Sequence, residues 1–162
     1  MIILDTMNFW MDHYRSKLDQ VIEKVDVISI NDEEARQLTG EHSLVNAAKL
    51  IHQLGPKYVI IKKGEHGAIL FSDKKIFQVP AFPIKKIFDP TGAGDSFIGG
   101  FAGSLSEKKQ VSFQAMKTAD VIGSAISSFT VQQFGTKELE NLTRLKLNKR
   151  IKEFKSLTDF EI

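Results

Sequence analysis

Short apolar runs alternate with amphipathic stretches along the chain, the pattern of strand, helix, strand units on a parallel sheet. Ile2 to Leu4 predicts a brief strand, and Asp12 is placed to cap a helix through Lys24 that buries Tyr14, Leu18, Val21 and Ile22. Val25 to Ile30 is the next strand. Asn31-Asp32-Glu33-Glu34 opens a helix that stops near Gly40, and Ser43 caps another with the face Leu44, Ala47, Ala48, Ile51 and Leu54, ending at Gly55. Tyr58 to Ile61 reads as a buried strand. Ala68 to Phe71 and Ile76 to Val79 flank Ser72-Asp73-Lys74-Lys75, a hairpin signal, and Ile84 to Phe88 leads into a glycine-rich turn. The last third is helical, with one helix over Val111 to Phe134 and a second from Thr136 to about Phe154. There is no repeat, low-complexity tract or linker, so residues 1–162 are expected to form a single α/β domain.

Composition narrows the function classes. The 162 residues are 26% charged and 42% apolar, with a formal net charge of +2. That is an ordinary globular balance without the cationic excess of a dedicated nucleic-acid binder, which makes small metabolites the expected partners. The chain has no cysteine, which excludes disulfides and thiolate metal sites. No run of 18 apolar residues occurs, and MIILDTMNFWMDH is too short and interrupted for a signal segment, so a cytoplasmic location without membrane insertion is expected. Arg144, Lys146, Lys149, Arg150, Lys152 and Lys155 alternate with Leu139, Leu142, Leu145, Ile151 and Phe154, and read as the solvated face of an amphipathic helix.

The most informative stretch is Asp89-Pro90-Thr91-Gly92-Ala93-Gly94-Asp95-Ser96-Phe97. It puts a bare-backbone turn, a helix start and a carboxylate in succession. Gly92 and Gly94 lack a Cβ and Ala93 has almost no side chain, so a ligand oxygen can reach the backbone amides. A first helical turn leaves those amides without partners and adds partial positive charge, which suits an anion such as phosphate. Asp95 would then lie beside the anion, where a carboxylate adds no attraction of its own and reads as a base. Phe97, Ile98, Phe101 and Leu105 continue at helical spacing. An ordinary glycine-rich turn with an Asp at the dipole's positive end is the plainer alternative. A dinucleotide fingerprint would need Gly at Phe97, and a Walker A loop from Gly94 would need Lys at Gly100.

DPTGAGDSF and the helix after it resemble the second signature of the ribokinase/PfkB carbohydrate kinase family, usually close to D-T-x-G-A-G-D. The resemblance implies a ribokinase-like three-layer, doubly wound, mostly parallel sheet, and transfer of a phosphoryl group from ATP to the hydroxyl of a sugar or related metabolite. Carried over, Gly92, Ala93 and Gly94 form the anion hole and Asp95 takes the proton of the acceptor hydroxyl. Asp89 and Thr91 match positions whose carbonyls hold a monovalent cation such as K⁺ in certain members. Nucleoside kinases share the signature and remain open, as does a noncatalytic interaction module that keeps the fold.

Three further segments fit the same family. Asn31-Asp32-Glu33-Glu34 is by itself a capping box, and it also matches the N-x-x-E motif whose Asn and Glu lie near the phosphates and organise Mg²⁺. Because Mg²⁺ keeps several waters, Glu34 can act through one. Lys62-Lys63-Gly64-Glu65-His66-Gly67 is either a tight turn between strands or the family's G-x-x-G segment lining the nucleotide, with Lys62, Gly64 and Gly67 as its contacts. An RNA-gripping loop shares the pattern, but the flanks here read as strands and Glu65 would face phosphate badly. Ile122 to Gly135 resembles the late helix beside the adenine, where Ser124 falls at a position some members fill with Asn. Asp5-Thr6-Met7-Asn8 echoes a strand end that often reads D-x-N, with different spacing, and receives no role.

The resemblance runs from about Ile2 to Leu142 and corresponds to the C-terminal half of a typical member. The G-G region, the acidic sugar-binding residues and the β-lid precede that segment in the family. The chain is therefore expected to carry the nucleotide half and the base, to bind Mg·ATP weakly, and to show little kinase activity alone. A strand edge left open by such a division invites pairing with another copy or with the other half.

Overall fold

The computed structural model describes residues 1–106, 108, 111–159 and 161. They divide into two compact units, Met1–Gln78 and Val79–Ile162. The first unit is built on strands Ile3–Asp5 (β1), Val27–Asn31 (β2), Tyr58–Lys62 (β3), Ala68–Ser72 (β4) and Lys75–Val79 (β5), whose last residue begins the second unit. They form a sheet in the order β1-β2-β3-β4-β5, with β1, β2 and β3 parallel and β4 antiparallel to β3. The central strands are buried on both faces, as their Val and Ile runs require: Val27, Ile28, Ile30, Val59, Ile60 and Ile61 are inaccessible.

Helices Asn8–His13 (α1) and Arg15–Ile22 (α2) connect β1 to β2, and Asp32–Thr39 (α3) and Leu44–Gln53 (α4) connect β2 to β3. Met11, Leu18, Ile22, Leu38, Ala47 and Ile51 pack with Ile28, Ile30, Val59 and Ile61 as the core on one face of the sheet. Ser43 caps α4 by accepting from the Asn46 amide, and Gly40 ends α3 in the left-handed conformation at φ 75°.

The single helix expected from Asp12 to Lys24 is two. Tyr14, at φ −139° and ψ 34°, leaves the helical backbone, and Asp12 lies inside α1, where its carboxylate accepts from Gln37 rather than capping. The buried stripe is Met11, Leu18 and Ile22; Tyr14 and Val21 sit on its flank and are exposed. They line an open apolar cavity of about 320 Å³ with Leu4, Thr6, Trp10 and Leu18.

The second unit holds Ala93–Ser106 (α5), Phe113–Thr130 (α6), Lys137–Glu140 (α7) and Arg144–Thr158 (α8). Ile84 to Phe88 contains no strand; it is tied by the Phe88 amide to the Val131 carbonyl at 2.9 Å. The second C-terminal helix is likewise broken. Thr143 takes extended backbone and accepts from the Lys146 amide, so α8 starts afresh after Asn141 and Leu142. Its basic residues do not all form a solvated face. The Arg150 guanidinium lies 4.1 Å from the Phe82 ring centre and 4.2 Å from that of Phe129, and it donates to Ser128 Oγ. Leu145, by contrast, is 81% exposed.

Helices α5 and α6 approach closely because small residues face each other. A Cβ on Gly123 would stand 2.7 Å from the Phe97 carbonyl oxygen, and one on Gly100 would stand 2.6 Å from Ile126 Cδ1. The Ile126 side chain can rotate away, whereas the Phe97 carbonyl is part of α5. Gly123→Ala should therefore destabilise the protein by about 1–3 kcal/mol, and Gly100→Ala by less. Urea unfolding of the two variants checks the order.

Asp120, in α6, is fully buried, and among the described residues nothing hydrogen-bonds either carboxylate oxygen. Burial pushes its carboxyl from the ordinary 3.8 up to about 8. Below about pH 4 both folded and unfolded chains hold this proton, and its titration takes nothing from stability. Between there and the folded value only the unfolded chain releases it, so stability falls as pH rises and levels off above pH 8. Asp120→Asn should remove that fall, gaining on the order of a few kcal/mol over the native chain at pH 8 relative to pH 4. Denaturation midpoints of both proteins across this range test the sign.

Candidate functional site

The candidate residues divide between the units and are described within each. In the first, the C-terminal ends of β1, β2 and β3 present Asp5, Asn31 and Lys62 side by side, the side of a parallel sheet where ligands gather. Asn31 is the N-cap of α3. Its Oδ1 accepts from the Glu34 amide at 2.8 Å while Glu34 Oε2 accepts from the Asn31 amide at 2.9 Å, a complete capping box. Burial is the main influence on Glu34 and raises its carboxyl above the usual range, with Asp5 and Glu33 acting the same way; the Asn31 amide and the Lys62 ammonium oppose it. The Lys62 ammonium donates to Asp5 Oδ1 at 2.7 Å, and both side chains are mostly buried.

Asn31, Glu34 and Lys62 are thus brought together, joined by Asp5, to which the sequence reading gave no role. The signal was present: a carboxylate directly follows the apolar run Ile2-Ile3-Leu4 at a strand's C-terminal end. Gly64 and Gly67 bound a short 3₁₀ turn, Gly64–His66, between β3 and β4. Lys63 and Gly67 close it through the bond from the Lys63 amide to the Gly67 carbonyl at 2.7 Å, and His66 is an exposed loop residue.

In the second unit, α5 begins inside the glycine run. Gly92 takes φ 77°, a conformation that favours glycine, and open space lies where its Cβ would be. The Ala93 amide bonds to the Pro90 carbonyl and the Ser96 amide to the Gly92 carbonyl. Among the described residues the Gly94 and Asp95 amides, in the first turn, have no backbone acceptor. Asp95 itself is exposed. Asp89 Oδ1 accepts from the Thr91 amide at 2.9 Å, and that amide, with the Thr91 hydroxyl, holds the Asp89 carboxyl below its ordinary value. The turn is tied to the end of α6: Ser96 Oγ bonds the Gly92 and Ala93 carbonyls, and the Thr130 hydroxyl donates to Ser96 Oγ at 2.7 Å. Ser124 is buried in α6, one turn beyond Asp120.

Among the described residues no group of three or more His, Asp or Glu side chains is placed to hold a metal ion by itself. Glu34 has one carboxylate oxygen committed to its helix cap, and among the described residues its other oxygen accepts no hydrogen bond; one such carboxylate could serve a hard cation only together with oxygens from a ligand or water. No helix among the described residues is long and apolar enough to cross a membrane.

Comparison with known proteins places the fold and the family. The family model for pfkB family carbohydrate kinases matches residues 1–143. A cytidine kinase of Thermococcus kodakarensis is 38% identical over 94 residues, covering 57% of this chain and 34% of that protein. Aminoimidazole riboside kinase from Salmonella enterica, solved with aminoimidazole riboside and an ATP analog, superposes with a TM-score of 0.80 at 24% identity, over 92% of this chain and 51% of that one. Arabidopsis thaliana ribokinase complexed with ribose and ATP gives 0.71 at 28% identity, over 83% and 43%. The fold is ribokinase-like, with a mixed, mostly parallel five-stranded sheet. The chain spans about half the length of these solved relatives and a third of the cytidine kinase.

The capping box gives a test of local structure separate from chemistry. Asn31→Ala should cost about 1 kcal/mol of stability. Glu34→Gln should cost much less, because Gln at the third helical position can also close the box. Thermal unfolding without ligand distinguishes the two.

Proposed function

Because this chain belongs to the pfkB family of carbohydrate kinases, we propose that residues 1–162 are the nucleotide-binding and catalytic-base half of an ATP-dependent kinase. The acceptor is the hydroxyl of a sugar or related metabolite. The observation that carries the reading is the open start of α5, where the Gly94 and Asp95 amides have no acceptor among the described residues and the Asp95 carboxylate stands exposed one residue past the glycines.

In the proposed reaction the acceptor oxygen attacks the γ-phosphorus, its proton passes to the Asp95 carboxylate, and the bond from that phosphorus to the ADP oxygen breaks. Negative charge on the migrating group meets the amides of the Gly92-Ala93-Gly94 turn and the positive end of α5. Little covalent chemistry is asked of the protein, so position and charge do most of the work. In the first unit Asn31 and Lys62 meet the phosphates, Glu34 holds Mg²⁺ directly or through water, and Gly64 and Gly67 line the nucleotide. Mg²⁺, when bound, neutralises phosphate charge. Ser124 is assigned to the adenine side, and the carbonyls of Asp89 and Thr91 to a monovalent cation such as K⁺.

A nucleoside acceptor is the second reading, favoured by the cytidine kinase likeness at 38% identity. Both acceptors need the rest of the fold, since the chain corresponds to about half of each solved relative. The other half, or a second copy, is the expected partner, and a cytoplasmic setting suits an ATP-using enzyme. The open cavity beside Trp10 and Tyr14, next to edge strand β1, supports such a contact.

Calorimetric titration with Mg·ATP tests the proposal. The 162-residue chain should bind it weakly, Asp95→Asn should bind equally well, and neither should phosphorylate ribose or cytidine efficiently alone. Absence of binding would remove the kinase reading and favour a noncatalytic module. Robust phosphorylation by the isolated chain would overturn its assignment as half of an enzyme.

A further inference from the structure

The Asp5–Lys62 pair spans more of the sheet than an ordinary cross-strand contact. Asp5 is level with Ser29 of β2, and Ser29 with Ile60 of β3, so Lys62 lies two strands over and two residues further along. Those offsets are roughly 10 Å across and roughly 7 Å along the strands. Register partners project to the same side, which places Asp5, Ser29, Asn31, Ile60 and Lys62 on one face of the sheet, opposite the core under α1–α4. To donate to Asp5 at 2.7 Å, the Lys62 side chain must lie back across the end of β2 instead of running on along β3.

The pair crosses beside two informative neighbours. Ser29 is fully buried and its hydroxyl has no partner among the described residues. Glu34, at the start of α3, feels both charges of the pair. An unanchored lysine has large rotamer freedom and would place its charge over a wide arc. The carboxylate of Asp5 removes that freedom, and one of the three ammonium donors suffices for it. Two donors remain.

We propose that Asp5 is a positioning residue for nucleotide binding, holding the Lys62 ammonium over the Asn31–Glu34 helix start so that its remaining donors meet a phosphate arriving there. This rests on the reading of Lys62 as a phosphate ligand. It has a sharp competitor in elementary electrostatics, because a carboxylate beside the site also repels a polyanion. If repulsion outweighs positioning, deleting Asp5 tightens ATP binding; if positioning dominates, deletion weakens it.

A double-substitution cycle read by Mg·ATP affinity decides between these outcomes. Asp5→Ala should weaken binding about tenfold through lost preorganisation, Lys62→Ala should weaken it at least as much, and the double variant should bind no worse than Lys62→Ala alone. Asp5→Glu, which restores the charge, should recover part of the loss. The fluorescence of Trp10, the sole tryptophan, reports whether each variant is folded, and Asp5→Asn replaces Asp5→Ala in the cycle if the latter is not. A merely structural Asp5 would lower the unfolding temperature and leave losses in affinity additive with those of Lys62→Ala. Tighter binding by Asp5→Ala, unchanged binding, or additive losses would each overturn the proposal. A wild-type chain that binds no Mg·ATP defeats the kinase reading itself, whereas binding that depends on Lys62 and ignores Asp5 defeats only the positioning role.

Discussion

The backbone amides at the start of a helix need acceptors, and the helices of this chain meet that need in different ways. Four helices meet it from within: Asn31, Ser43, Ser112 and Thr143 each accept from an amide in the following turn. Helices α1, α2 and α7 have no side-chain cap, and α5, which follows Gly92, has Gly94 and Asp95 amides that find no acceptor among the described residues. A side-chain cap meets part of that need from within the chain. The α5 start, beside a glycine that leaves open space, is accessible to an oxygen from outside the chain.

Such a turn is useful only if it is held still. Its support comes from the far end of α6, through Thr130 to Ser96 and through Val131 to Phe88, on either side of the glycines. Those bonds require α5 and α6 to run close together, which Gly100 and Gly123 allow. The small residues after Asp95 therefore belong to the same design as the turn: they let one helix position the first residues of the other.

The sequence displayed this second unit's site more plainly than the first unit's. DPTGAGDSF is contiguous, so its turn, helix start and carboxylate are legible together. Asn31 and Glu34 are legible too, since a capping box is local. Lys62 and Asp5 are 57 residues apart, and their union depends on the register of three strands, which no local spacing carries. The same limit explains the helical errors. Apolar periodicity marks Tyr14 and Val21 as inward, yet the sheet takes only the Met11, Leu18, Ile22 stripe. The break before α8 was readable from Thr143, a good N-cap, but continuous leucine spacing through Leu139, Leu142 and Leu145 masked it. Arg150 looked like one more solvated cation because its partners Phe82 and Phe129 come from distant segments.

Glu34 shows why structure and chemistry should not be treated as rival explanations of one residue. Its Oε2 closes the helix cap, which fixes the carboxylate at the end of β2, where the residue is buried. Burial raises its proton affinity, while Lys62 lowers it. A surface glutamate would reach a cation only after losing the freedom of several rotatable bonds, and that cost falls on the binding step. Here the cap imposes the order during folding, leaving the second oxygen available at a fixed place. The capping box thus holds a carboxylate in place before any ligand arrives, and under the proposed function a substitution that preserves the box, such as Glu34→Gln, separates the role of the charge from that of the helix cap.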